Sequence, residues 1–296
     1  MKRLAIFVAF ALGLGLATAL FASPPDSSWQ SIDEVLGFAG KDLPGGVHRF
    51  GWPRSDLHVT IGNVTVEPAV ALGSWAGFLQ TATGGPAVTM GDLVLLDSEL
   101  DPVIGELQSG GFEILAIHNH LVNESPHVIY LHFHGHGDAV ALAKTLKAAL
   151  AKSKTPAPGT SAAAPTAEQA QTFEKLQAAL GRKGTMAGKV LQVGVPRSEA
   201  IHDGGTEVPA SLGMSTSLNF QTVGAEVATS GDFVLVAEEV NPVIRELRAH
   251  GIAPTALHSH MLTETPRLFF MHFWAVGTPE KIGEGLKAAL SKVATK

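Results

Sequence analysis

Ala116 to Gly137 reads AIHNHLVNESPHVIYLHFHGHG, and the placing of its histidines decides how the chain is read. His118 and His120 alternate before a turn-like cluster, Asn123-Glu124-Ser125-Pro126; His132, His134 and His136 alternate after it. Strand side chains point to opposite faces with period two, so each group lies on one face of its own strand. The intervening proline stops ladder pairing and favours a reversal. The pattern predicts a hairpin with His120 opposite His132 and His118 opposite His134, neighbouring Cβ atoms about 5 Å apart. Four imidazoles on one patch, with the Glu124 carboxylate at the loop, form a donor set for a metal ion.

The spacing returns 140 residues later, in ALHSHMLTETPRLFFMHFWAVG from Ala256 to Gly277. His258, His260, Glu264, Pro266 and His272 fall in register with His118, His120, Glu124, Pro126 and His132. Residues 91–150 align with 231–290 without a gap, and 24 of the 60 positions are identical, which makes the chain a tandem duplication of one domain. Gly91-Asp92 matches Gly231-Asp232, and Pro53-Arg54-Ser55-Asp56 resembles Pro196-Arg197-Ser198-Glu199. Between the copies, residues 151–170 turn to Ala, Pro, Ser, Thr and Lys, too poor in apolar surface to order themselves and read as a semi-extended linker. We therefore expect repeat domains at 27–150 and 171–296.

Met1-Lys2-Arg3, an apolar run to Leu16 and an Ala-x-Ala site at Ala17-Thr18-Ala19 read as a secretory signal peptide over residues 1–22. The expected location is periplasmic or secreted, with no stable membrane anchor after cleavage. With no cysteine in the chain, a metal must be held by His, Asp or Glu rather than thiolate. A formal charge of −6 offers no basic field for nucleic acid, and His118-Asn119-His120 spells HNH without the nuclease spacing. The expected partners are a metal ion and a small-molecule ligand, not nucleic acid; the oligomeric state is left open.

Within each repeat the periodicity predicts a short helix at Ser31–Ala39, with its counterpart at Thr172–Leu180. Strands are expected over 46–50, 57–66, 70–81 and 87–96. A helix capped at Asp101-Pro102 and Asn241-Pro242 follows, then the histidine hairpin, then a last helix from Asp138 and Thr278. This order argues an α+β fold, two tandem copies of a mostly antiparallel sheet domain with helices packed on one face. Leu115, Ile117, Ile129, Leu131 and Phe133 alternate with the histidines and suit the face under the helices. The histidines then face solvent, a cleft or the other copy. Trp274 and Val276 stand where the first copy has His134 and His136, and Arg267 stands for His127, so the first copy is expected to carry the fuller site.

Pro53-Arg54-Ser55-Asp56-Leu57, Ala71-Leu72-Gly73-Ser74-Trp75, Gly91-Asp92-Leu93-Val94-Leu95, the His118 to Pro126 motif and Gly135-His136-Gly137-Asp138 resemble the LppY/LpqO family, a duplicated exported bacterial domain of unknown function. Named members of that family are lipoproteins, whereas release after export is expected for a chain without cysteine. His-x-His-x3-Glu with a later His also resembles the first metal motif of cupins, although the helices do not suit an all-β barrel. The candidate ligands are His118, His120, Glu124, His132 and His134 in the first copy and His258, His260, Glu264 and His272 in the second. Imidazole with carboxylate serves a divalent transition metal such as Zn, Cu, Ni, Mn or Fe. The first reading is an exported metal-binding or metal-handling protein. A second is a metal-dependent hydrolase or oxidoreductase with Glu124 or a spare histidine as catalytic base, and a third is a non-metal ligand-binding or interaction module. Glu67 and Glu207 are weighed as supporting carboxylates against solvated strand positions, and Arg54 with Asp56 is read as a surface pair.

Overall fold

The computed structural model describes residues 29–81, 85–157, 159 and 163–296. The expected signal peptide lies outside them. The first repeat runs α1 (Gln30–Leu36), β1 (Lys41–Leu43), β2 (Val47–Pro53), β3 (Thr60–Ile61), β4 (Val64–Thr65), α2 (Pro68–Ala71), β5 (Gly73–Gln80), β6 (Ala87–Leu95), α3 (Asp97–Ser109), β7 (Glu113–His118), β8 (Glu124–Ser125), β9 (Ile129–Gly137) and α4 (Ala139–Leu150). The second follows the same plan through α5 (Ala167–Leu180), β10 (Thr185–Ala187), β11 (Val190–Pro196), β12 (His202–Asp203), β13 (Thr206–Glu207), β14 (Ser215–Val223), β15 (Glu226–Leu235), α6 (Ala237–Ala249), β16 (Ala253–His258), β17 (Phe269–Gly277) and α7 (Pro279–Leu290).

Each repeat builds a six-stranded antiparallel sheet, ordered β1-β2-β5-β6-β9-β7 in the first and β10-β11-β14-β15-β17-β16 in the second. Helices cover one face of each sheet, as the α+β reading requires. In the first repeat Leu131 and Phe133 of β9 pack with Val103 and Leu107 of α3 and Leu142 and Leu146 of α4. Met271 and Phe273 repeat this beneath α6 and α7. Burying such side chains stabilises by roughly 1.5–3 kcal/mol each.

The opposite faces are turned toward one another. One shared cluster joins Val47, Val88 and Met90 to Leu212, Met214 and Phe270, and another joins Val70, Val94 and Tyr130 to Val190. Polar side chains tie the seam: Gln221 bridges the Glu67 N–H and the Thr65 carbonyl, and Asn219 donates to the Val70 carbonyl. The two repeats form a layered stack of helices, sheet, sheet and helices, with the histidine face inside it.

Several local expectations are corrected. The helix expected to begin at Asp101-Pro102 begins at Asp97, because the Glu99 carboxylate accepts the Leu96 N–H and caps it one turn earlier; Pro102 lies inside it. α5 begins at Ala167 rather than Thr172, since Thr166 and Gln169 cap each other reciprocally. The span 57–66 is two short strands, and 70–81 opens with the turn of α2. Arg54 is not part of a surface pair: fully buried, it donates to the Val94 carbonyl, Glu99 and Asp56. Arg197 does the same with Val234, Glu239 and Glu199, which explains the repeated Pro-Arg-Ser-acid sequence as an internal brace.

The hairpin register also differs. β7 pairs with β9 so that His118 stands opposite Tyr130 and Ala116 opposite His132, with an irregularity between Ile114 and Ala116. That break changes the parity of β7 ahead of it: Ile114 joins the helix-side core and Leu115 packs at the seam, whereas Ile117, opposite Leu131, keeps the expected face and is 53 % exposed there. His120 lies beyond the strand, in the loop. Glu67 and Glu207 are both exposed.

Candidate metal centre

The centre is built by four strands and two loops, half from each repeat. β9 and β17 supply His132 and His272, the ends of β7 and β16 supply His118 and His258, and the following loops supply His120 and His260. Their rings interleave. His118 stacks on His258 with centroids 3.6 Å apart, His120 on His272 at 3.7 Å, and His132 on His260 at 3.7 Å. Tyr130 closes one stack over His120 at 3.4 Å, and its counterpart Phe270 closes the other over His260 at 3.3 Å. Tyr130 is a packed aromatic whose hydroxyl donates to the Ala71 carbonyl.

Two carboxylates complete the nest. Asp92 of β6 stands between Trp75 of β5 and His132 of β9, and Asp232 holds the equivalent place beside His272. Asp92 Oδ2 is 3.3 Å from His120 Nε2 and 3.7 Å from His132 Nε2, while Asp232 Oδ2 is 3.6 Å from His260 Nε2. The glycines that precede them have a separate task. A Cβ on Gly91 would run into the Phe133 ring and the Trp75 carbonyl, and one on Gly231 into Phe273 and the Ser217 carbonyl. The Gly-Asp pair therefore lets a core phenylalanine pass on one face while a carboxylate points into the seam on the other.

The glycine carbonyls also orient the rings. His132 Nδ1 donates to the Gly91 carbonyl at 3.2 Å, and His272 Nδ1 to the Gly231 carbonyl at 3.0 Å. A ring whose Nδ1 carries the proton keeps its Nε2 lone pair free, the arrangement by which a metal-bound histidine is held by a backbone acceptor behind it. His118 and His120 bring their Nε2 atoms to 3.0 Å, and His258 and His272 to 2.9 Å. Two nitrogens bound tetrahedrally to one zinc ion stand about 3.3 Å apart, so these separations are of the right scale.

Burial sets the protonation. It lowers the His132 and His258 pKa values to about 4, against the pull of Asp92 in the case of His132. His118, His120, His260 and His272 are held well below the ordinary value, by burial first and then by neighbouring rings. All six are neutral at pH 7 and available as ligands. Burial raises the Asp92 carboxyl to about 6, with His132 and then Arg49 opposing it, and raises Asp232 well above the usual range. Asp92 Oδ1, Asp232 Oδ1, His132 Nε2, His260 Nε2 and His118 Nδ1 are buried with no hydrogen-bond partner among the described residues. Buried polar atoms left unpaired cost about 1–3 kcal/mol each, which an ion would recover.

Three overlapping groups are geometrically able to hold a metal ion: His118, His132, His258 and His260; Asp92, His118, His120 and His132; and Asp232, His260 and His272. The structure thus brings together His118, His120, His132, His258, His260 and His272 from the expected set, and adds Asp92 and Asp232. It does not bring in Glu124, Glu264 or His134. Glu264 accepts the Leu268 N–H and an Arg267 N–H, Glu124 lies near His127, and His134 stands 3.6 Å from Glu113. Within single repeats the first copy does hold the fuller set, four residues against three in the second, and one further group, His118, His132, His258 and His260, draws on both copies. Sequence reasoning noted Gly91-Asp92 and Gly231-Asp232 only as identities; their recurrence on a strand beside the histidines was the signal available.

Among the described residues no helix is long and apolar enough to cross a membrane. No curated protein and no solved structure matches the chain. A family model matches residues 30–152 and again 174–292, one match for each repeat. With both repeats covered, the chain belongs to the family described as Domain of Unknown Function (DUF1259).

Proposed function

We propose that this is an exported, periplasmic or secreted protein that binds a divalent transition metal at the seam between its repeats, and that metal binding or handling is its role. The observation that carries the reading is the convergence of six neutral imidazoles and two carboxylates, with orphaned donor atoms facing one another in the protein interior. Nitrogen-rich donors favour Zn, Cu, Ni or Fe over Mn. Eight donors are twice what one tetrahedral ion takes, so the nest has ligands for two ions. The resemblance to LppY/LpqO proteins and the signal-like N-terminus support export.

The test is metal content per chain, measured by plasma mass spectrometry on untagged protein, beside His118→Ala/His120→Ala and His258→Ala/His260→Ala. Near-stoichiometric metal that either double variant loses supports the reading. A wild-type protein that stays metal-free after incubation with each of the five ions sinks it.

A second reading, a metal-dependent hydrolase or oxidoreductase, draws on the half-buried state of His118 and His258, which leaves one side of the nest open to a small ligand. In that reading Asp92, whose carboxyl burial raises to about 6 and which lies among the histidines, is better placed than Glu124 to act as a base.

A further inference from the structure

The two repeats solve one local problem differently, and the difference points to a second cation site far simpler than the first. Glu264, only 5 % exposed, is fully paired: Oε1 accepts the Leu268 N–H at 2.9 Å and Oε2 accepts from Arg267 at 3.2 Å. The same guanidinium donates to the carbonyls of Met261 and Leu262, pinning the loop that follows β16. The buried carboxylate thus meets a cation supplied by its own chain.

Glu124 is the same position in the first repeat and is equally buried, 9 % exposed, yet its Oε1 has no hydrogen-bond partner among the described residues. Where the second repeat has Arg267, the first has His127, with Nε2 lying 3.7 Å from Glu124 Oε1. A second exchange accompanies it. Ala237 opens α6, whereas Asp97 opens α3, and Asp97 Oδ1 accepts from His127 Nδ1 at 3.2 Å. With the donated proton on Nδ1, the Nε2 of the neutral ring carries the lone pair, on the side of the unpartnered carboxylate oxygen.

The charges reinforce the geometry. In the second repeat Glu264 and Arg267 cancel. In the first, two carboxylates flank a single imidazole and no guanidinium. A buried carboxylate without a partner is costly, and a metal ion supplies the missing positive charge.

We propose that Glu124 and His127, oriented by Asp97, form a divalent-cation site in the first repeat only, taking a borderline ion such as Zn²⁺ through one carboxylate oxygen and one imidazole nitrogen. His127 is 47 % exposed on its side chain, so water fills the remaining positions and the ion exchanges with solvent. The site shares no residue with the seam cluster and does not depend on it.

The experiment is zinc stoichiometry of the full chain by equilibrium dialysis at saturating Zn²⁺. The variant His127→Arg/Asp97→Ala rebuilds the second repeat's arrangement in the first. It should lose one zinc equivalent and melt no lower than wild type in zinc-free buffer, because the new guanidinium pairs with Glu124. The reciprocal variant Arg267→His/Ala237→Asp should gain one equivalent. In a His118→Ala/His120→Ala background the equivalent lost on adding His127→Arg should be the same one, which separates this site from the seam cluster. An unchanged zinc count in His127→Arg/Asp97→Ala overturns the proposal, whatever the seam variants do; zinc lost there but not in the seam variants leaves this site standing and removes the other.

Discussion

His118 and His258 are the same residue of the repeat, and their rings stack on each other across the seam at 3.6 Å. Neither repeat alone can complete the group formed by His118, His132, His258 and His260. His258→Ala should therefore cost as much bound metal as His118→Ala, each by more than tenfold in affinity, since each deletes a ligand that the other repeat shares. Competition titration with a chromogenic chelator reads this directly. Loss confined to first-repeat variants would show that the second copy is only scaffold.

Acid should weaken the metal-free fold. All six seam histidines titrate below their ordinary value, so beneath about pH 6.5 the unfolded chain takes up protons that the folded chain refuses, and stability falls with pH. Asp92 and Asp232 work in the opposite sense, because their raised carboxyls hold protons in the folded state that the unfolded chain has given up, for Asp92 between about pH 4 and 6. Six rings outweigh two carboxyls, with each net proton contributing about 1.4 kcal/mol per pH unit. Calorimetry of chelated protein should show the melting temperature dropping from pH 7 to pH 5. A constant or rising value would mean that the rings are not buried as neutral groups.

Gly91→Ala should destabilise the first repeat by about 1–3 kcal/mol, because the added methyl meets the Phe133 ring and the Trp75 carbonyl with no room to relax. Since the Gly91 carbonyl also orients His132, metal affinity should fall with it, by roughly 10–100-fold. Urea denaturation followed by metal titration measures both. A variant with wild-type stability would remove the close-approach explanation of the Gly-Asp motif.

Arg54→Ala should cost about 3–5 kcal/mol, because it strands buried Glu99 and unpairs the Val94 carbonyl. Arg197→Ala should do similar damage in the second repeat. If urea unfolding midpoints barely move, the brace is decorative and Glu99 finds its partners elsewhere.

Much of this was legible in the sequence, and the losses have identifiable causes. Period-two alternation assigned His132 and Phe133 to opposite faces correctly, since β9 is regular throughout. It failed on β7, where the break between Ile114 and Ala116 exchanges the faces of Ile114 and Leu115, while Ile117 keeps the face of Leu131 but is left exposed there. The proline near Ser125 marked a reversal, but register is set by pairing, which put Tyr130 opposite His118 and left His120 in the loop. Glu124 followed the histidines at a ligand-like spacing; spacing along a loop does not say where a side chain turns, and this one turned toward His127. Asp92 was hidden for a different reason: it reaches the histidines through β6, a strand remote in sequence and adjacent only in the sheet.

The ring contacts have a reciprocal form: His120 meets the counterpart of His132, His132 meets the counterpart of His120, and His118 meets its own counterpart. This is the signature of a two-fold axis passing between the His118 and His258 rings, the geometry of a homodimer written into one polypeptide. In a dimer of identical chains every substitution appears on both sides at once. Fusion lifts that constraint, so positions away from the axis can part company, as His127 and Arg267 or His134 and Trp274 have, while a shared centre on the axis still needs both halves.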